Sequence, residues 1–221
     1  EPEWTPGGDR IVFTSEQPIF QLYSRPADGS APGAPLFESP FDKHVPTFTP
    51  DGDRMLFYTY TQPHNQIWSL PLSGDPKPTT VLASPTEDFL SPRLSPDGRW
   101  LAYVANGTGR PEVYLSPYPG VTTGRRQVSI AGGSRPRWTK HGRELVFQNG
   151  SRMMAASFDA ATGTLGAPAL LFDRPYDQTT YDVTADGERF LMLRPPAEGP
   201  PRKIVVVTNW FEELRALMGK K

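Results

Sequence analysis

Three histidines, 24 Asp and Glu residues and no cysteine are the main chemical resources of this 221-residue chain. His44, His64 and His141 lie far apart in sequence, and with no thiolate the common transition-metal arrangements lack their donors. Serines and aspartates are plentiful, yet no Gly-x-Ser-x-Gly elbow occurs and no Ser stands in a strand-to-helix turn. The Asp-Gly phrases lack the alternating oxygen ligands and the closing Glu of a calcium loop. Gly7-Gly8 and Gly132-Gly133 lack the Lys-Ser/Thr of a phosphate cradle and open no helix. No metal, no cofactor and no catalytic residue are expected. The formal net charge is -1, which favours neither nucleic acid nor an anionic membrane, so Arg125-Arg126 and Arg135-Pro136-Arg137 read as a solvated rim. No run approaches the roughly 18 apolar residues of a spanning helix, so no direct membrane insertion by this segment is expected. The lack of cysteine is compatible with any compartment.

The elements come from a repeat. One phrase recurs five times: Thr5-Pro6-Gly7-Gly8, Thr49-Pro50-Asp51-Gly52, Ser95-Pro96-Asp97-Gly98, Thr139-Lys140-His141-Gly142 and Thr184-Ala185-Asp186-Gly187, with starts 44, 46, 44 and 45 residues apart. Ser or Thr, then Pro, then Gly in fourth place are the preferences of a tight turn in which Gly takes positive φ. An apolar residue precedes each turn (Trp4, Phe48, Leu94, Trp138, Val183), and a short apolar run follows, as in Met55-Leu56-Phe57-Tyr58 and Leu101-Ala102-Tyr103-Val104. Such runs read as buried strands. Third strands are visible at 21–24, 66–70, 112–115, 152–156 and 203–207. Outer strands follow near Pro35-Leu36-Phe37, Val81-Leu82-Ala83, Gln127-Val128-Ser129-Ile130 and Ala169-Leu170-Leu171-Phe172. A period of about 40 to 45 residues with four strands is the pattern of a β-propeller blade. The expected fold is therefore all-β, with blades at about 1–44, 45–90, 91–134, 135–180 and 181–208. A short C-terminal helix is expected over 209–218, capped by Asn209, with Trp210, Leu214, Leu217 and Met218 on one face.

The repeat resembles TolB-like β-propeller repeats, relatives of the Trp-Asp type, along essentially the whole chain. The stretch from Tyr181 to Met192 followed by Val205-Val206-Val207-Thr208-Asn209-Trp210-Phe211-Glu212-Glu213-Leu214 is similar to the C-terminus of propeller regions in bacterial proteins, many of them receptor-type Ser/Thr kinases. That resemblance implies a sensor propeller on the periplasmic or extracellular side, or alternatively a cytoplasmic one, with a kinase domain and further repeats upstream; the chain is expected to be a fragment. Gly7 stands in place of Asp in the first turn, Lys140-His141 replace Pro-Asp in the fourth, and Ala185 replaces Pro in the fifth. Gly persists in all five, so the turn geometry is expected to persist.

Loops joining the outer strand of one blade to the inner strand of the next gather around one channel mouth, where binding residues sit on a rigid scaffold. They hold Phe41-Asp42-Lys43-His44, Thr86-Glu87-Asp88-Phe89-Leu90, Ser134-Arg135 and Tyr176-Asp177. The candidate contacts are Phe41, Asp42, His44, Glu87, Phe89, Arg135, Tyr176 and Asp177. An aromatic anchor beside a carboxylate suits a protein, a peptide or a small polar ligand. In a second reading, Phe41, Phe89 and Tyr176 close the ends of the core between blades. The leading function is a non-catalytic binding propeller, sensor-like by resemblance. The alternatives are an accessory gating propeller of a prolyl-oligopeptidase-like serine peptidase, or a TolB-like periplasmic translocation protein.

Overall fold

The computed structural model describes residues 2–16, 19–74, 76–176, 180–194 and 205–207. The chain divides into two compact units, residues 1–136 and 137–221. The first unit holds three antiparallel four-stranded sheets, each in simple meander order. They are β1 (Pro2–Trp4), β2 (Arg10–Glu16), β3 (Phe20–Pro26) and β4 (Ala34–Pro35); then β5 (Asp42–Phe48), β6 (Arg54–Tyr60), β7 (Gln66–Pro71) and β8 (Thr79–Leu82); then β9 (Phe89–Leu94), β10 (Trp100–Ala105), β11 (Glu112–Pro117) and β12 (Arg126–Gln127). A fourth sheet contains β13 (Ser134–Thr139), β14 (Glu144–Asn149), β15 (Arg152–Asp159), β16 (Thr164–Leu165) and β17 (Ala169–Asp173), and the unit boundary falls inside β13. β16 and β17 share the outer edge of β15, a five-stranded arrangement where the repeat implies four. The last sheet is β18 (Tyr181–Val183), β19 (Phe190–Met192) and β20 (Val205–Val207). The helix expected over 209–218 lies outside the described residues.

The apolar runs are continuous because the middle strands are buried on both faces. Along β6, Met55 and Phe57 meet Val12 and Leu22 of the first sheet, whereas Leu56 and Tyr58 meet Leu94, Leu101 and Tyr103 of the third. Period-2 alternation thus sends neighbouring residues into two different cores. Each such large side chain contributes about 1.5 to 3 kcal/mol when fully buried. In the second unit, Val146, Met153 and Phe172 pack in the same way against Tyr181, Phe190 and Met192.

Four of the five repeated turns share one geometry. At 95–100, the Gly98 N–H donates to the Ser95 carbonyl (2.8 Å), the Ser95 hydroxyl donates to Asp97 (2.6 Å), and the Trp100 N–H donates back to the Ser95 hydroxyl (3.0 Å). Gly8, Gly52, Gly98 and Gly187 all take φ between +69° and +77°. The fourth turn departs from expectation. Lys140 and His141 themselves sit at φ 49° and 56°, and a 3₁₀ turn spans Lys140–Gly142. Without Pro to fix φ and Asp to take the hydroxyl, Thr139 donates instead to Glu144 (3.1 Å).

The inner strands are longer than the loop assignment implied. Asp42 to His44, Phe89-Leu90 and Ser134-Arg135 belong to β5, β9 and β13. Their backbones pair regardless of side-chain polarity; Asp42 stands opposite Tyr60 and His44 opposite Tyr58. Pro2, Pro46, Pro92 and Pro136 each stand three residues before the turn Ser or Thr. The ladder shifts register beside Pro46 and Pro92, as proline on an edge strand requires.

Candidate functional site

The first unit has two distinct ends. At one end the turns tile, with Gly52 over Pro6 and Gly98 over Pro50. At the other, the start of each inner strand is tied to the hairpin of the preceding sheet. Asp42 accepts the Phe20 N–H (2.8 Å), and Asp88 accepts the Asn65 N–H (2.8 Å). Asp88 also accepts from Asn106 Nδ2 (2.6 Å), while its own N–H donates to Asn106 Oδ1 (2.7 Å). The next tie reverses the roles: fully buried Glu112 accepts the Gly132 N–H (3.0 Å), Arg110 Nε (2.7 Å) and the Ser129 hydroxyl.

Phe41, Asp42 and His44 come together at the head of β5. Phe41 is 46% exposed. His44 is ringed by Phe20, Tyr58 and Tyr60 at centroid distances of 5.0, 5.4 and 4.7 Å. Burial holds its imidazole below the usual pKa despite the nearby Asp42, and its buried Nε2 has no hydrogen-bond partner among the described residues. Between them, Lys43 is fully buried; its ammonium donates to Gln21 Oε1 and lies 4.7 Å from the Phe37 ring centre. Burial pushes that ammonium down to about 8 against the opposing pull of Asp42 and Glu38.

Glu87 and Phe89 sit at the head of β9 with different roles. Glu87 accepts two hydrogen bonds from Arg125 (2.8 and 3.0 Å), whose guanidinium lies 3.8 Å from the Tyr114 ring centre. Phe89 is 4% exposed and packs edge-on to Tyr103, so it belongs to the core between the second and third sheets and presents no surface to a ligand. Nearby, His64 Nδ1 stands 3.6 Å from Asp88. Arg135 is partly buried in β13, with φ 50° directly before Pro136. In the second unit, Tyr176 packs edge-on to Phe172, with ring centres 6.0 Å apart. Asp177 lies outside the described residues.

Two residues of this end escaped the sequence reading. Tyr60 closes β6 opposite Asp42 and is 49% exposed. Ile130, expected in an outer strand, lies beyond β12 and is 74% exposed, with its carbonyl held by Arg110 (2.6 Å). The signal for Tyr60 was alternation from Tyr58; for Ile130 it was an isolated aliphatic residue before Gly132-Gly133. Phe41, Tyr60 and Ile130 thus stand on the end where the inner strands begin. Among the described residues no three His, Asp or Glu side chains form a metal-binding group, and no helix is long and apolar enough to cross a membrane.

No protein-family model matches the chain. A 71-residue stretch is 41% identical to the Tol-Pal system protein TolB of Alcanivorax borkumensis, covering 31% of this chain and 16% of that protein. The crystal structure of TolB from Acinetobacter baumannii superposes over 89% of this chain and 49% of its own length, with a TM-score of 0.69 and 18% identity. A puromycin-hydrolyzing peptidase of Mycobacterium tuberculosis superposes over 86% of this chain and 32% of its own, with a TM-score of 0.61 and 17% identity. The chain therefore spans about half, or less, of the length of each of these three proteins. Five successive antiparallel sheets, each with the recurring turn between its first two strands, together with these likenesses, give the chain a TolB-like β-propeller fold.

Proposed function

We propose that this chain is a non-catalytic binding propeller that takes an extended polypeptide segment at the end of its first unit carrying Phe41, Tyr60 and Ile130. The observation that carries this reading is the exposure of three large apolar side chains where the carboxylates of Asp42 and Glu87 already have protein partners. Exposed aromatic and aliphatic anchors on a rigid edge bury area at little entropic cost, and fixed carboxylates around them orient polar backbone. Likeness to TolB, named for the Tol-Pal system, supports a role in protein association. In the finer reading, the propeller senses ligands for a bacterial receptor kinase or a related envelope protein, which rests on the resemblance of its C-terminal stretch. A second reading, a propeller that gates a peptidase, draws on the likeness to the mycobacterial enzyme.

The test is selection of displayed random peptides on the chain, followed by calorimetry against the Phe41→Ser, Tyr60→Ser, Ile130→Ser triple variant. Selected peptides are expected to lose at least tenfold in affinity for the variant. Equal binding to both proteins would refute the site, and sustained turnover of a peptide and ester panel by the chain would refute the non-catalytic assignment.

A further inference from the structure

Two equivalent carboxylates of the first unit are closed in different ways. Counting from the turns, Asp42 matches Asp88, and Tyr60 of the second sheet matches Asn106 of the third. Both oxygens of Asp88 are engaged: Oδ1 accepts the Asn65 N–H and Oδ2 accepts from Asn106 Nδ2. Asp42 keeps only the first of these bonds, from the Phe20 N–H to Oδ1, and among the described residues its Oδ2 has no hydrogen-bond partner. Tyr60 stands directly opposite Asp42 across β5 and β6, so the two side chains rise from one face of the sheet with Cβ atoms about 5 Å apart. A phenol ring thus replaces the amide that would have closed the carboxylate.

That ring is both held and open. His44 and Tyr58 lie edge-on to it, with ring centres 4.7 and 5.6 Å away, and Tyr60 still exposes about half its surface. The charge around it is negative. Glu38, exposed, acts on the Lys43 ammonium, and Glu16, also exposed, stands opposite Phe20, whose ring centre is 5.0 Å from that of His44. Among the described residues no cationic side chain comes within 4 Å of the Asp42, Glu38 or Glu16 carboxylate. Lys43 itself is fully buried and gives its ammonium to Gln21. An aromatic ring attracts a cation through its quadrupole, and a carboxylate oxygen beside it adds the opposite charge and an acceptor. A neutral apolar group set there would desolvate that oxygen and leave it unpaired.

We propose that this seat takes the charged end of a basic side chain, so that the polypeptide bound at this end of the first unit is anchored by a Lys or Arg between Tyr60 and Asp42, with Phe41 alongside. The proposal rests on the peptide site put forward above and names its specificity. Three displayed peptide libraries, random except for one central position fixed as Lys, Leu or Glu, are selected on the full chain. Binders are expected mainly from the Lys library. Replacing that Lys by norleucine in synthetic copies should cost at least tenfold in affinity by calorimetry for the native chain, but less than threefold for Asp42→Asn, whose amide oxygen can still accept the Phe20 N–H. Binders drawn equally from the Leu library, or a norleucine cost that is the same for both proteins, would overturn the cation seat and leave the peptide site standing. If no library yields binders that the Phe41→Ser, Tyr60→Ser, Ile130→Ser triple variant weakens, the peptide site falls and the cation seat with it.

Discussion

The tiling of turns makes a sharp stability prediction, because two glycines with nearly the same backbone have different surroundings. Gly52 and Gly98 take φ +76° and +69°. A Cβ on Gly52 would meet Pro6 at 3.9 Å, an ordinary contact, whereas one on Gly98 would meet Pro50 Cδ at 2.8 Å and Cγ at 3.1 Å. Alanine in the left-handed region costs about 1 to 2 kcal/mol, and the stiffer unfolded chain returns about 0.4 to 1. Gly52→Ala is therefore expected to lose about 1 kcal/mol. Gly98→Ala adds an overpacking cost of about 1 to 3 kcal/mol, since the Pro50 ring is rigid and fixed in its own turn. With about 2 to 4 °C per kcal/mol for a chain of this size, its thermal midpoint should fall several degrees below that of Gly52→Ala.

The decisive measurement is a double-mutant cycle by urea unfolding. Pro50→Ala removes Cγ and Cδ, so Gly98→Ala should cost less by at least about 1 kcal/mol in the Pro50→Ala background. Equal losses for the two glycine variants, or no relief by Pro50→Ala, would refute the claim that successive turns are in contact.

Other outcomes follow from the ties and the buried cations. Asp88 accepts from two groups and Asp42 from one backbone N–H, so Asp88→Ala should lower the urea midpoint more than Asp42→Ala. Lys43 has its folded-state pKa depressed to about 8 from 10.5, so the folded chain binds fewer protons between those values and stability should rise with pH across that window. Lys43→Met should flatten that rise in urea midpoints taken at pH 7.5 and 10. The pKa of His44 is also lowered, so stability should fall as pH drops below 6.5, and His44→Phe should remove that part of the loss. Arg125→Ala should cost about 1 to 2 kcal/mol by denaturant unfolding, because it removes both the paired hydrogen bonds to Glu87 and the cover over Tyr114.

The sheets were legible because each repeat carries its own punctuation: a Ser or Thr whose hydroxyl closes the turn, and a Gly that takes positive φ. The fourth turn shows the limit of that rule, since Gly142 alone did not preserve the geometry once Pro and Asp were gone. The site was harder to read because neighbouring aromatic residues face different ways. Phe41 and Phe89 both flank an acid, yet one is largely exposed and the other is core. Counting from the turns resolves this: Asp42 and Asp88 each stand seven residues before the turn Thr or Ser, so Phe41 is equivalent to Glu87, and Lys43 to Phe89. Grouping aromatic and acid by adjacency loses the register, and strand register decides which side chain enters the core.

That register also explains why Lys43 is buried and where variation in this fold can carry function. The position after the tying aspartate points into the core; the third sheet fills it with Phe89, and the second fills it with the stem of Lys43, whose ammonium must then find Gln21 and the Phe37 ring. At the turn end, the contact of Gly98 with Pro50 leaves no space for a new side chain at that position. At the other end, hydrogen bonds accepted by Asp42, Asp88 and Glu112 fasten the sheets from within, so the exposed side chains of Phe41 and Ile130 just outside them are not what holds the sheets together. Tyr60 stands beside them but also packs on His44 and Tyr58. A chain can therefore change Phe41 and Ile130 with little cost to its sheets, so recognition can diverge there while the fold persists.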